Sequence, residues 1–303
     1  MNVIRDINNL PNIMDYLNKH KAYVSLTTSP LRINYIEEVI KHLDLTHIEY
    51  IFLNLPLVFG KDKTQYIIPD IIKNNKKIKI LRMEKDYGPI SKIIPSIEYI
   101  QQIDPLSIII SIDDDIIYPK GMINELIYHC ILSPNVIFGG CEYYEQYFPM
   151  TYKFTWKLPF FKNHDDEHVD ILEGWGSIGY VVKYVDVDFL KLLSQLTEKC
   201  YCSDDLIINF ALMIDNIPRS VIHNEFLNKE YLIPMAHGLK CDSLHQKAIN
   251  DLKSSLEKKN EIDDDFVNTE KYKLPYETLL NFSYNYETLQ FLSKCEIIKK
   301  IKN

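Results

Sequence analysis

Three consecutive aspartates, Asp113, Asp114 and Asp115, follow an apolar run from Leu106 to Ile112. This run is dominated by isoleucine and is too short for a stable helix, so it predicts a central β-strand buried on both faces. Ligands of open α/β sheets bind outside the carboxyl ends of the strands, where three neighbouring carboxylates would repel one another. A divalent cation such as Mn²⁺ or Mg²⁺, which takes oxygen ligands and binds phosphates, would neutralise them. The alternative is a solvated acidic turn.

The expected metal ligands are Asp115 and Asp113, with one histidine from the late part of the chain. Alternation along an extended backbone sends Asp113 and Asp115 to one side and Asp114 to the other. Imidazole can complete a Mn²⁺ site. The segment A-H-G-L-K-C-D-S-L-H-Q offers His237 and His245. Of these two we favour His245, although a lone histidine is more often a surface or core residue.

A second pair of acids follows a serine in the segment C-Y-C-S-D-D-L-I-I-N. Ser203 is suited to cap a helix whose first turn contains Asp204 and Asp205. Carboxylates in a first turn are favoured by the helix dipole alone, which is the structural interpretation. A carboxylate held there beside a metal and a phosphate can also act as a general base.

The octet K-D-Y-G-P-I-S-K, from Lys85 to Lys92, follows a predicted strand. Gly88 permits a tight turn, and Pro89 can begin the next helix. Lys92 would then lie in the first turn of that helix, where a cation opposes the helix dipole. We therefore expect Lys92 to contact a phosphate or a carboxylate, or else to extend into solvent.

Two further segments have side chains suited to substrate binding. Thr27, Thr28 and Arg32 follow the first predicted strand, where hydroxyl groups suit a nucleotide base or ribose, although threonine is also an ordinary turn residue. Trp175 and Gly176 lie in a glycine-rich stretch whose backbone a ligand can approach closely, so they are candidates for an acceptor pocket. The aromatic stretch from 142 to 161 is either a platform for a sugar ring or a lid.

Strands and helices alternate along the chain, which predicts an α/β fold with a mainly parallel sheet. The predicted strands are 22–26, 50–55, 78–83, 106–112 and 136–140, and the predicted helices include 6–19, 33–43, 67–73, 120–132 and 189–196.

Composition excludes several classes of protein. A net charge of -8 argues against a nucleic-acid-binding surface. Six cysteines without metal-finger spacing predict free thiols in a reducing compartment. No window approaches the roughly 18 apolar residues of a membrane span, and no signal peptide is evident. We therefore expect a cytoplasmic, soluble protein without a transmembrane segment.

The order of these motifs resembles that of metal-dependent GT-A nucleotide-sugar glycosyltransferases, and more closely a compact subgroup found in bacterial polysaccharide clusters and large DNA viruses. The resemblance extends from Ala22 to Gln246. It is carried by S-L-T-T-S-P-L-R (25–32), D-Y-G-P-I-S-K (86–92), D-D-D (113–115), G-W-G (174–176) and S-D-D-L (203–206).

The resemblance implies a Rossmann-like mixed sheet, a nucleotide diphosphate-sugar donor, a saccharide or glycan acceptor, and Mn²⁺ or Mg²⁺ bridging the diphosphate to Asp115. Asp113 would face the ribose or the donor sugar. One acid of S-D-D-L would be the base. The family has Glu-Asp where this chain has Asp204 and Asp205, and we favour Asp205. Donor binding would further involve Thr27, Thr28, Arg32, Asp86, Lys92 and Asp114, and acceptor binding Trp175 and Gly176.

The expected reaction is transfer of a sugar, from UDP-sugar or another nucleotide sugar, to a hydroxyl group with inversion. The alternatives are a two-metal phosphoryl or nucleotidyl transferase, and a non-catalytic carbohydrate-binding or scaffold protein. We expect a glycosyltransferase domain over residues 1–246 and a helical C-terminal extension over 247–303.

Overall fold

The computed structural model describes residues 6–140, 172–222 and 233–234. The strands are β1 (Ala22–Thr27), β2 (Ile48–Pro56), β3 (Ile78–Met83), β4 (Ile108–Ser111), β5 (Ile116–Ile117), β6 (Ile137–Gly139), β7 (Ile178–Val181), β8 (Arg219–Val221) and β9 (Ile233–Pro234). The α-helices are α1 (Pro11–Lys19), α2 (Ile36–Ile40), α3 (Asp70–Lys73), α4 (Ile94–Gln101), α5 (Met122–Leu132), α6 (Val187–Ser194), α7 (Glu198–Cys202) and α8 (Asp204–Ile214). Short 3₁₀ turns lie at Ile7–Asn9, Ile33–Tyr35, Gly88–Lys92, Gly174–Gly176 and Val182–Tyr184.

Seven strands form one mixed sheet in the order β3-β2-β1-β4-β7-β6-β8. Within it β7 runs antiparallel to both neighbours, β4 and β6, and the other pairings are parallel. The strand that precedes the three aspartates, β4, is the central one. The predicted α/β class with a mixed, mainly parallel sheet flanked by helices is therefore confirmed.

Both faces of the sheet are covered, as the isoleucine-rich strands predict. Along β4, Ile108 and Ile110 pack with α1, α2 and α5 on one face, whereas Ile109 packs with α4, α6 and α8 on the other. The same alternation holds in β1, where Val24 and Tyr23 belong to opposite faces. Every one of these side chains is buried, so the two layers of helices enclose the sheet.

Helix boundaries differ from the predicted ones mainly at prolines. The predicted helix over 6–19 is a 3₁₀ turn followed by α1, which begins at Pro11 because proline suits a first helical position. The predicted helix over 67–73 begins only at Asp70, because Pro69 is in an extended conformation before it. The remaining predicted strands and helices lie where expected, with shifts of a few residues at their ends.

Several predictions fall outside the described residues: His237, His245, the aromatic stretch 142–161 and the extension over 247–303. Cys130 is a buried free thiol, as predicted, whereas Cys141, Cys241 and Cys295 lie outside the described ranges. Within those ranges, no helix has both the length and the apolar character that crossing a membrane would require.

Candidate active site

A cleft of about 920 Å³ lies at the carboxyl edge of β1 and β4. The register explains its position, because Ser25 of β1 pairs with Ser111, the last residue of β4, and β1 itself ends two residues later at Thr27. The lining brings together most of the residues that the sequence singled out: Thr27, Thr28, Arg32, Asp86, Lys92, Asp113, Asp114, Asp115, Trp175, Asp204 and Asp205. Gly176 is buried and does not line the cleft.

The three consecutive aspartates form a turn and are not part of the strand, since β4 ends at Ser111. Asp114 is 3% exposed, accepts a hydrogen bond from Thr28 Oγ1 and pairs with Arg32 Nη2 at 2.6 Å. Asp115 Oδ2 pairs with Arg32 Nη1 at 2.9 Å. The ion pairs thus group Asp114 with Asp115 and leave Asp113 apart. The sequence pattern instead predicts Asp113 grouped with Asp115. The grouping differs because side chains alternate between two sides only within a strand, and β4 ends before Asp113.

The threonines and the arginine predicted to line a nucleotide pocket are partly engaged within the protein. Arg32 holds two carboxylates, and Thr27 Oγ1 donates to the carbonyl of Asn54 at 2.8 Å. Ser29 Oγ lies in the same cleft, shielded from solvent, and has no hydrogen-bond partner among the described residues. A buried hydroxyl without a partner is unfavourable unless a ligand provides one. Ser29 is therefore a further candidate for donor binding.

Lys92 is the buried cation of the cleft, with 4% of its surface exposed. It ends the 3₁₀ turn Gly88–Lys92, and α4 begins only at Ile94, so the predicted position in the first helical turn is wrong. Its Nζ lies 2.8 Å from Asp113 Oδ1 and 2.7 Å from Asp204 Oδ2. Burial opposes the charge, but Asp113, Asp204 and Asp205 more than offset it and hold the pKa of Lys92 well above its ordinary value. The solvent-exposed alternative is excluded.

Asp204 and Asp205 begin α8, as the sequence predicts. Asp205 Oδ1 accepts a hydrogen bond from the Gly174 amide at 2.8 Å. Burial, followed by the neighbouring charge of Asp204, raises the pKa of Asp205 well above its usual range, although Lys92 opposes this. The two acids therefore differ: Asp204 is ion-paired, whereas Asp205 is oriented by a backbone amide.

The G-W-G segment reaches the cleft as a 3₁₀ turn. A Cβ atom on Gly174 would lie 2.6 Å from both Lys92 Nζ and Asp205 Oδ1, so a larger residue here would have to displace the ends of these two side chains. Trp175 Nε1 donates to Glu173 Oε2 at 2.6 Å, which fixes the indole at the cleft wall. Burial raises the pKa of Glu173 to about 7, against the opposing effect of this hydrogen bond.

Asp86 organises the turn that carries Lys92. Its Oδ1 accepts from the Gly88 amide at 2.8 Å, and its Oδ2 accepts from the Gly60 amide at 2.6 Å. Gly88 has a φ of 75°, and a Cβ atom there would lie 2.2 Å from the carbonyl oxygen of Tyr201. Asp86 is therefore engaged in holding two loops, although it also lines the predicted donor site.

Gly88→Ala is expected to destabilise the fold, because it adds a backbone clash to a left-handed conformation. A strained residue of this kind costs about 1–3 kcal/mol, or about 2–12 °C in melting temperature for a chain of this size. Thermal unfolding measures the effect. A melting temperature equal to that of the wild type would contradict the close approach of this turn to α7.

Sequence reasoning missed a network of buried polar side chains behind Lys92. The Lys92 carbonyl accepts hydrogen bonds from Ser25 Oγ at 2.5 Å and from Asn54 Nδ2 at 2.9 Å. Ser96 Oγ donates to Asn54 Oδ1 at 2.9 Å and contacts Ser25 Oγ at 2.6 Å. The available signal was Asn54 itself, a fully buried amide within the apolar strand β2. Glu173 was also missed, and nothing in the sequence around it signalled a role.

The residues present are compatible with one divalent cation. Within the described ranges no group of three or more His, Cys, Asp and Glu side chains is arranged to hold a metal ion. However, the side chains of Asp113 and Asp115 line the cleft and are 28% and 22% exposed. Their carboxylate oxygens are the donors that Mg²⁺ and Mn²⁺ prefer, and such ions complete their coordination with phosphates. The described lining of the cleft contains eight acidic and five basic side chains, and this surplus of acids also favours a cation.

Comparisons with known proteins give a similarity in fold alone. No protein-family model matches the chain, and no curated protein sequence is significantly similar to it. Among solved structures, the chain is similar to the mannosyltransferase PcManGT from Pyrobaculum calidifontis in complex with GDP-Man and Mn²⁺. The alignment covers 95% of this chain and 96% of that chain, with 9% sequence identity and a TM-score of 0.45. We draw no conclusion about substrate or reaction from a match this distant.

Proposed function

We propose that the protein is a metal-dependent glycosyltransferase that moves a sugar from a nucleotide diphosphate sugar to a hydroxyl group of a saccharide acceptor. The observation that carries this proposal is that two sets of aspartates, 113–115 and 204–205, line the same cleft. The acids after β4 and the acids that begin α8 come from distant parts of the chain, and Lys92 joins them. A donor site and a base can thus be placed within one pocket. Residues 1–246 form the catalytic domain in this proposal, and the reaction takes place in the cytoplasm.

In this proposal Asp113 and Asp115 would hold Mn²⁺ or Mg²⁺, and His245 would complete the ligand set. When bound, the ion supplies positive charge that stabilises the diphosphate leaving group. Arg32 keeps Asp114 and Asp115 fixed and partly neutralised, so the site is organised before the donor arrives. Preorganised charges of this kind need little rearrangement during the reaction.

The donor would lie along the carboxyl edge of β1, where Thr27, Thr28, Ser29 and Arg32 line the cleft. The buried Ser29 hydroxyl, which has no partner in the part of the chain that the structure describes, supports ligand binding at this place. A volume of about 920 Å³ is in the upper range of small-molecule pockets, which leaves room for a donor and part of an acceptor. UDP-sugar is the donor that we propose, on the basis of the motif resemblance.

Asp205 is the proposed base. Gly174 orients one of its oxygens, and a raised pKa makes its carboxylate a stronger base once it is ionised. It would take the proton of the acceptor hydroxyl group as this attacks the anomeric carbon from the face opposite the diphosphate, which gives inversion. Trp175 offers an apolar face on which a sugar ring can stack.

The two-metal phosphoryl or nucleotidyl transferase is the second candidate, because Asp113 and Asp204 lie close enough to share a cation. That cation is already Lys92, with Nζ at 2.8 and 2.7 Å from the two carboxylates. A second divalent ion would have to displace a buried ammonium group. This arrangement favours chemistry with a single metal ion, and hence the glycosyltransferase.

A thermal-shift panel of UDP- and GDP-sugars, each with and without Mn²⁺, tests the proposal. At a ligand concentration of 100 times Kd we expect stabilisation of about 2.7 kcal/mol, or about 5–10 °C, for one donor and only with the metal. The same donor should then be hydrolysed slowly or transferred. Absence of any shift across the panel would support the non-catalytic scaffold. Stabilisation by nucleoside triphosphates and not by nucleotide sugars would support the nucleotidyl transferase.

A further inference from the structure

We propose that Lys92 is a positioning residue: its ammonium group is a built-in counter-charge that joins Asp113 to Asp204 and thereby fixes Asp205 for the reaction. The inference rests on the proposed function. It assigns to Asp204 the role of an anchor and to Lys92 a role in holding acids in place. Contact with the donor phosphates, which the sequence also allowed, is not required of this lysine.

The first support is the position of the ammonium group between two acids from different elements. Its distances to Asp113 Oδ1 and Asp204 Oδ2 are nearly equal, at 2.8 and 2.7 Å. Asp113 follows the central strand, and Asp204 begins α8. Without a permanent cation, Asp113, Asp204 and Asp205 would repel one another in a poorly solvated place, and the start of α8 would move away.

The second support is that the backbone of Lys92 is fixed from behind. Its carbonyl accepts hydrogen bonds from Ser25 of β1 and Asn54 of β2, and Ser96 of α4 closes the network. These four residues are at most 4% exposed. The three side chains that hold this carbonyl in place, Ser25, Asn54 and Ser96, carry no ionisable group. The ammonium group is thus held in register with the carboxyl edge of the sheet, and a mobile phosphate-binding lysine would not need such support.

The third support is the position of Gly174 beside both Lys92 and Asp205. A Cβ atom on Gly174 would lie 2.6 Å from Lys92 Nζ and 2.6 Å from Asp205 Oδ1, and the Gly174 amide donates to that same oxygen. Asp205 also follows Asp204 directly in the chain, and Lys92 holds Asp204 at 2.7 Å. A shift of the lysine would therefore move the neighbours on which the direction of the Asp205 carboxylate depends.

A double-mutant cycle of Lys92→Met and Asp204→Asn tests the inference, with wild type and both single variants. Lys92→Met leaves buried carboxylates without their partner and should lower the melting temperature by about 10 °C. Asp204→Asn in the same chain should recover at least half of that loss, because the residues act as a pair. Additive losses would overturn the pairing. This measurement needs no activity, so it remains informative if the proposed function fails.

Function is tested by separating binding from turnover. Lys92→Met should bind UDP or GDP with Mn²⁺ as tightly as the wild type, because Asp113 has lost a competing cation, while kcat falls by at least about 100-fold. Asp204→Asn should lower kcat less than Lys92→Met does, because its amide oxygen can still accept a hydrogen bond from the Lys92 ammonium group. Weakened nucleotide binding in Lys92→Met would make the lysine a phosphate ligand and overturn the inference. If Asp204→Asn still binds nucleotide but loses more kcat than Lys92→Met does, Asp204 is the base, with the same consequence.

Lys191→Met is the matched control. Lys191 also lies between two acids, at 2.6 Å from Glu98 and 3.7 Å from Asp188, but on the surface and outside the cleft. Its removal should change neither nucleotide binding nor kcat. If wild type binds no nucleotide and transfers no sugar, the proposed function fails, whereas the thermal cycle still decides whether Lys92 and Asp204 act together.

Discussion

Asp205→Asn is expected to bind the nucleotide sugar as the wild type does and to lose transfer by about 100- to 10,000-fold, the range for removal of a general base. The amide keeps the size of the carboxylate and can still accept the Gly174 hydrogen bond, so the fold should persist. It cannot take the proton of an acceptor hydroxyl group. Donor binding by calorimetry and turnover by product formation separate the two effects.

Asp215→Asn is the control for this variant. Asp215 caps the opposite end of the same helix, α8, and does not line the cleft. It should bind and transfer normally. Transfer by Asp205→Asn at the wild-type rate would refute the assignment of the base, and a product with the donor's anomeric configuration, read by proton NMR, would refute inversion.

The pH dependence of the wild type gives a second view of the same residue. Burial and Asp204 raise the pKa of Asp205 in the folded protein, so its carboxyl group holds a proton at pH values where an ordinary aspartate, with a pKa of about 3.9, is ionised. A base must be deprotonated to act. Activity should therefore rise with pH through the raised pKa of Asp205 and be lost as pH falls through it. The low rate that remains in Asp205→Asn should no longer rise with pH over this range.

Asp115→Ala is expected to abolish turnover and the stabilisation that Mn²⁺ gives. The substitution removes one of two proposed carboxylate ligands and also frees one nitrogen of Arg32, which would then add positive charge where the metal ion is needed. Both effects weaken metal binding. Thermal shift with increasing Mn²⁺ measures binding without any substrate, and turnover is measured at saturating donor.

Asp188→Ala is the control for removal of an acidic side chain outside the site. Asp188 is exposed on α6, and its ion pair with Lys191 is long, at 3.7 Å. Its response to Mn²⁺ should equal that of the wild type. If Asp115→Ala binds Mn²⁺ with unchanged affinity, Asp115 is not a ligand, and the acid turn serves another purpose such as holding Arg32.

The sequence contained enough to predict the sheet and the edge that carries the cleft. The isoleucine run before Asp113 indicated a strand buried on both faces, and β4 is central for that reason. The types of residue in the site were equally visible, because one group of acids follows an apolar segment and the other follows the capping residue Ser203. The grouping of the three consecutive aspartates could not be predicted, because it depended on β4 ending at Ser111, two residues before the first of them.

The partners of the charged groups could not be predicted, because they are set by contacts between residues distant in the chain. Lys92 meets Asp204 only when α8 is packed beside the Gly88 turn, and Gly174 meets Asp205 only when the chain enters β7. Nor did any local pattern reveal Glu173, whose raised pKa comes from burial in the finished fold. Local signals specify elements, whereas electrostatic environments require the assembled structure.

The antiparallel direction of β7 has a consequence for how new specificities can arise. Ile178, at the start of β7, pairs with Ser111 at the end of β4, and the Gly140 amide donates to the Ser177 carbonyl at 3.0 Å. The end of β4 and the start of β7 therefore lie side by side at the edge of the sheet that carries the cleft. The G-W-G turn just before β7 is attached directly to the central strand, so an engineered replacement of Trp175 would reshape the cleft wall while the backbone pairing of β7 with β4 stays in place.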